Sequence, residues 1–72
     1  MMNRVSVSSS NLASVGYDAQ AKVLEIEFLN GSVYQYANVP ERIYAELLSA
    51  PSHGKYFDAN IKKAGYAYTR IR

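Results

Sequence analysis

Few side chains in this sequence have the types and spacing that chemistry needs. Glu25 and Glu27 stand two apart in Leu24-Glu25-Ile26-Glu27-Phe28, so on a strand they share one face, roughly 6–7 Å apart. Paired carboxylates can hold a divalent cation. The wet face of an antiparallel sheet produces the same alternation, and that is the reading adopted. His53 is the single histidine and there is no cysteine. Count alone therefore excludes a thiolate zinc site, an iron–sulfur cluster and a disulfide framework, and it argues against a histidine metal centre or a Ser-His-Asp triad. No catalytic residue, metal site or cofactor is expected.

Binding chemistry is better represented. Ser52-His53-Gly54-Lys55 stands at a helix start, where free N–H groups, a hydroxyl and a lysine meet. Ser52, Gly54 and Lys55 are thus a candidate anion site, although a plain serine N-cap accounts for the same residues. The second feature is a charge asymmetry. Residues 1–50 carry Arg4, Lys22 and Arg42 against five acidic side chains; residues 51–72 carry Lys55, Lys62, Lys63, Arg70 and Arg72 against Asp58 alone. Tyr66 and Tyr68 interleave with these cations. Aromatic rings on a sheet, ringed by cations, are how several folds stack bases and hold phosphates. Tyrosines serving as core or edge packing, and lysines on a solvated helix, would give the same pattern.

Positioning those residues requires particular elements. Val5–Ser8 and Ala13–Tyr17 alternate as strands, with a short turn at Asp18–Ala21. Leu24, Ile26 and Phe28 mark the buried face of the clearest strand, and Asn30-Gly31 marks a hairpin to Ser32–Ala37. The loop length decides where two tyrosines point. A two-residue loop sends Tyr34 and Tyr36 to the wet face beside Glu25 and Glu27. A three-residue loop, Leu29-Asn30-Gly31 with Gly31 in the left-handed region, puts them with Leu24, Ile26 and Phe28. The second is preferred, because a core with few other large residues needs those rings. Pro40-Glu41 opens a helix with its stripe at Ile43, Tyr44, Leu47 and Leu48, closed at Ala50-Pro51. Ser52 caps a second helix, with Tyr56, Phe57 and Ile61 inside, Lys55, Lys62 and Lys63 outside, and Gly65 at its end. Tyr66–Ile71 alternates as a closing strand. The expectation is an α+β domain over residues 1–72: a small antiparallel sheet of about three or four strands with two short helices, in the order β-β-β-α-α-β.

With 72 residues and a net charge of +2, the chain has room for one small core and no deep multilayered cleft. Met1–Ser10 lacks the apolar run of a signal peptide, and no stretch approaches the ~20 apolar residues that a membrane crossing needs. A cytoplasmic protein without a membrane partner is expected.

The ordered set Ser9-Ser10-Asn11, Gly16-Tyr17-Asp18, Leu24-x-Ile26-x-Phe28-x-Asn30-Gly31, Tyr34-x-Tyr36, Val39-Pro40, Ser52-x-Gly54-x-Tyr56-Phe57 and Ile61-Lys62 resembles the KTSC domain family. That family is named for the C-terminal region of some lysyl-tRNA synthetases and also occurs as free-standing small bacterial proteins. The resemblance runs from about Ser8 to Ile71, and Tyr34-x-Tyr36 corresponds to the family's YxY motif. It implies no aminoacylation, since no synthetase catalytic domain is present; it implies a small module for which RNA binding has been proposed. Together these readings give a non-enzymatic domain that binds RNA, with Lys55, Lys62, Lys63, Arg70 and Arg72 on phosphates and Tyr66 and Tyr68 on bases. The alternative is a protein partner or homo-oligomer formed through an exposed sheet edge, at Val5–Ser8 or Tyr66–Ile71.

Overall fold

The computed structural model describes residues 4–72, and Met1–Asn3, the start of the segment read above as lacking a signal sequence, lie outside the described residues. Five strands form one antiparallel meander in sequence order: β1 (Arg4–Ser6), β2 (Leu12–Asp18), β3 (Val23–Phe28), β4 (Val33–Tyr36) and β5 (Tyr68–Arg70). Between β4 and β5 the chain makes α1 (Glu41–Ser49), α2 (His53–Phe57) and a π-helical turn, Asp58–Lys62. The α+β class and the two helices agree with the sequence pattern. The strand count is higher than the three or four expected: all five alternating segments join the sheet, β1 and β5 as edge strands of three residues each. β5 is also shorter than the expected 66–71; Tyr66 precedes it.

Hairpin register follows from the turn. Gly31 N–H donates to the Phe28 carbonyl at 2.9 Å, Phe28 N–H donates to the Ser32 carbonyl, and Gly31 has φ +91°. The loop is therefore Leu29-Asn30-Gly31, a three-residue turn whose last position favours glycine. Its register pairs Leu24 with Tyr36 and Ile26 with Tyr34, so both tyrosines share the face of Leu24, Ile26 and Phe28. On β2, Val15 pairs with Ile26 and Tyr17 with Leu24, after an irregularity between Leu12 and Ser14 that shifts the register.

The helices pack on that face. Ile43 and Leu47 of α1, Phe57 of α2 and Ile61 of the π turn meet Leu12, Val15, Leu24, Ile26, Tyr36 and Val39 in one buried cluster. Each such aliphatic side chain contributes about 1.5–3 kcal/mol by leaving water. Pro40 is the N-cap of α1, one position outside the first turn, and His53 Nδ1–H donates to the Leu47 carbonyl at 2.8 Å near the end of that helix. Tyr17 stacks on Tyr44 with centroids 5.4 Å apart, and its hydroxyl donates to the Val39 carbonyl, fastening the chain that enters α1 to the sheet.

Candidate functional site

Along the outer half of the helix-covered face, α1 and α2 leave β3, β4 and β5 partly open. The result is a groove of about 480 Å³ whose walls come from Phe28, Tyr34, Tyr36, Phe57 and Tyr68, with Asn11, Asn30, Ser32, Asp58 and Lys62 around the rim. Phe57 stands edge-on to Phe28 and Tyr36, at 5.5 and 5.6 Å, and seals the inner end. Tyr34 and Tyr36, one turn of the strand pleat apart, lie nearly parallel, and Tyr68 is tilted against both at 5.7 and 5.6 Å. Tyr68 is 63% exposed. Desolvation in this cluster, reinforced by the phenols of Tyr34 and Tyr68, pushes the Tyr36 hydroxyl up to about 12, so it stays protonated at neutral pH.

The π turn places the charged part of the rim. Lys63 N–H reaches back to the Asp58 carbonyl at 3.2 Å, an i to i−5 bond. Phe57 and Ile61 are buried in the core, and Asp58 and Lys62 line the groove. Asp58 is neutralised by the Lys63 ammonium at 3.2 Å. Lys62 makes no ion pair among the described residues. Arg70 lies opposite Tyr34 in the β4–β5 register; its guanidinium also lacks a carboxylate partner there and donates to the Arg72 carbonyl at 3.1 Å.

The residues that sequence reasoning grouped are thus divided. Tyr68 and Lys62 line the groove, Arg70 shares the sheet face of Tyr34 and Tyr68 on β5, and Lys63 sits on Asp58. Arg72 lies across the sheet, donating to Glu27 at 2.8 Å and to the Gly31 carbonyl at 3.1 Å. Tyr66 is half-buried against the core near Tyr56. Lys55 is exposed on α2, where its N–H is accepted by Ser52 Oγ at 3.2 Å. Gly54, in the first turn of α2, is covered by the side chain of Asn11. Ser52 and Gly54 therefore have roles in the fold as a helix cap and a close-packing point.

On the opposite face, Glu25 and Glu27 take protein partners. Glu25 is buried and accepts from Arg4 and from Gln35 Nε2 at 2.9 Å; Glu27 accepts from Ser14 Oγ at 2.8 Å and from Arg72. Among the described residues no group of three His, Cys, Asp or Glu side chains converges, and no helix is long and apolar enough to cross a membrane. Sequence reasoning missed Asn11, Asn30, Phe28 and Phe57 as groove residues. The available signal was the parity of the three-residue loop, which puts Phe28 and Tyr34 on one face.

Known proteins match this arrangement closely. The crystal structure of a KTSC domain protein from Yersinia pestis superposes with a TM-score of 0.90, 42% identity and full coverage of both chains. An uncharacterized protein of Stutzerimonas stutzeri is 43% identical over 70 residues, 97% of this chain and 99% of its own. A lysine–tRNA ligase of Nostoc punctiforme is 40% identical over 53 residues, which are 74% of this chain and 9% of the ligase. The KTSC domain model matches residues 8–66, and with that match the chain belongs to the KTSC domain family.

Proposed function

We propose that this domain is a binding module for RNA, with Tyr68 and Tyr34 as a stacking platform and Lys62, Arg70, Lys63 and Lys55 as its phosphate contacts. The observation that carries the reading is the exposure of Tyr68 at the mouth of an aromatic groove, beside two cations without carboxylate partners among the described residues. Five of the six carboxylates are occupied: Glu25, Glu27, Glu46 and Asp58 in ion pairs, and Asp18 by the backbone N–H groups of Gln20 and Ala21. A net charge of +2 therefore understates the positive field that a ligand meets at Lys55, Lys62 and Arg70. The shared segment in a lysine–tRNA ligase supports RNA as the polyanion.

The test is anisotropy of labelled tRNA and short single-stranded RNA at roughly 50 and 200 mM salt, a span over which phosphate contacts lose affinity steeply. Micromolar binding that weakens with salt, and is abolished by Lys62→Glu with Lys63→Glu while circular dichroism shows the fold intact, is the expected result. Unchanged affinity in that variant defeats the assignment.

A second reading rests on the sheet edges. β1 and β5 each pair on one side only among the described residues, and Val5 and Ile71 are exposed next to those edges. Such edges accept a partner strand. A stable dimer in light scattering, lost when Val5 is replaced by lysine, favours it over RNA binding.

A further inference from the structure

We propose that the groove takes the keto-bearing edge of an unpaired base, uracil before cytosine; the proposal rests on the RNA reading and specifies what the groove selects. Three observations carry it, and each concerns a hydrogen-bonding group at the rim.

The carboxamide of Asn30 has a fixed orientation. Its oxygen accepts the Ser32 backbone N–H at 3.0 Å and the Ser32 hydroxyl at 2.7 Å. A backbone N–H only donates, so the atom that faces it is Oδ1. The NH₂ group is the end left over, with no protein partner among the described residues.

The carboxamide of Asn11 is fixed by the same logic. Ser9 Oγ accepts the backbone N–H groups of Asn11 and Leu12, both at 3.3 Å. Its own proton is then directed to Asn11 at 3.0 Å, and the receiving atom is again Oδ1. Asn11 also offers an unused NH₂. The two residues are neighbours, since Leu29 N–H donates to the Asn11 carbonyl at 2.9 Å.

Lys62 adds a third donor. The one carboxylate of the wall, Asp58, faces the Lys63 ammonium. The rim is therefore donor-rich, and its complement is a flat ring with an edge rich in acceptors and a negative group alongside. Uracil presents two carbonyl oxygens. Cytosine keeps O2 and gains a ring acceptor at N3 but replaces O4 with an amino group, so the rim donor that O4 would satisfy meets a donor instead and is left unsatisfied. The groove's size admits one base with its sugar and phosphate. A base within a duplex does not enter it, so the target is a single-stranded or looped segment.

The experiment compares short labelled oligouridine and oligocytidine of equal length, hence equal charge, on the full chain at roughly 50 mM salt. Oligouridine binds about fivefold tighter, the worth of one net hydrogen bond. Asn11→Asp and Asn30→Asp each keep the oxygen that Ser9 or Ser32 needs and replace the NH₂ with an acceptor, so each brings the uridine-to-cytidine ratio to unity or below. The ratio, and not the affinity, is the readout, because the added charge weakens all RNA binding alike. Equal binding of both oligomers, or a ratio unmoved by either variant, overturns the base-edge inference. If that equal binding is still salt-dependent, the RNA reading survives. No binding of either oligomer at the lower salt overturns both.

Discussion

Asn11 Oδ1 occupies the space over Gly54 in which a side chain would begin: an ideal β-carbon there falls 2.3 Å from that oxygen and 3.3 Å from Ser9 Oγ. Two segments more than forty residues apart, Ser9–Asn11 and Ser52–Gly54, thus meet at one point. The contact seats α2 on the start of β2 and holds an amide at the rim of the groove.

Gly54→Ala tests this contact with two effects of opposite sign. Alanine is the better helix former by about 1 kcal/mol, whereas forcing atoms into a filled site costs about 1–3 kcal/mol. Because Ser9 pins the Asn11 amide, the clash prevails and the urea midpoint falls. Adding Asn11→Ala vacates the space, and the double variant recovers part of the loss. A midpoint for Gly54→Ala at or above that of the parent would show that Asn11 swings aside freely.

The sheet's far face carries a pH-dependent contribution. Glu27 is held below the ordinary carboxylate range, chiefly by the Ser14 hydroxyl and then by Arg4 and Arg72. A carboxyl depressed by folding contributes stability that is fully present above its unfolded value of about 4.3 and fades as pH falls through the lower folded value. Glu27→Gln is therefore less stable than the parent at neutral pH, and the difference closes in acid. Urea unfolding of both proteins across that range checks it. A gap that is constant with pH would assign the effect to packing.

Tyr36 gives the mirror case. Its phenol is pushed up to about 12 by desolvation and then by Tyr34 and Tyr68. A group raised by folding contributes stability that is fully present below the unfolded value, about 10, and is lost as pH rises toward the folded one. The parent loses stability over that alkaline window, and Tyr36→Phe removes the part of the slope that belongs to this residue. In an ultraviolet titration, Tyr36 ionises among the last tyrosines, together with Tyr56, whose hydroxyl donates to Glu46 and is also raised to about 12. An unchanged alkaline slope in Tyr36→Phe would place the late titration elsewhere.

Local features were the legible ones. The strand at Leu24–Phe28, the three-residue turn and the inner stripe Phe57–Ile61 each depend on residues within a few positions of one another, where side-chain period and turn chemistry act directly. What escaped depends on distant pairs. Nothing near Arg72 announces Glu27, nothing near Gly54 announces Asn11, and nothing local announces the π turn, since Phe57 and Ile61, four apart, share a face on an α-helix too. The site suffered most. Five cations close together in sequence suggest one surface. Strand alternation would keep Arg70 and Arg72, two apart, on one face, and it is the end of β5 at Arg70 that lets Arg72 turn to Glu27 on the other.

That separation makes Arg70 and Arg72 a matched pair for the last prediction. Both are exposed arginines of the same terminal segment, and each variant removes one positive charge. Arg70 stands opposite Tyr34 on the groove side, whereas Arg72 is engaged by Glu27 and Gly31 across the sheet. If RNA lies on the groove, Arg70→Ala removes one phosphate contact and lowers the salt slope by about one, with little change in the thermal midpoint. Arg72→Ala leaves RNA affinity within about twofold and takes away an exposed ion pair worth about 0–1 kcal/mol, visible as a small loss of stability. Equal losses of RNA affinity in the two variants would mean that the phosphates follow the whole basic end of the chain through its long-range field. Tyr68 and the groove would then be bystanders to binding.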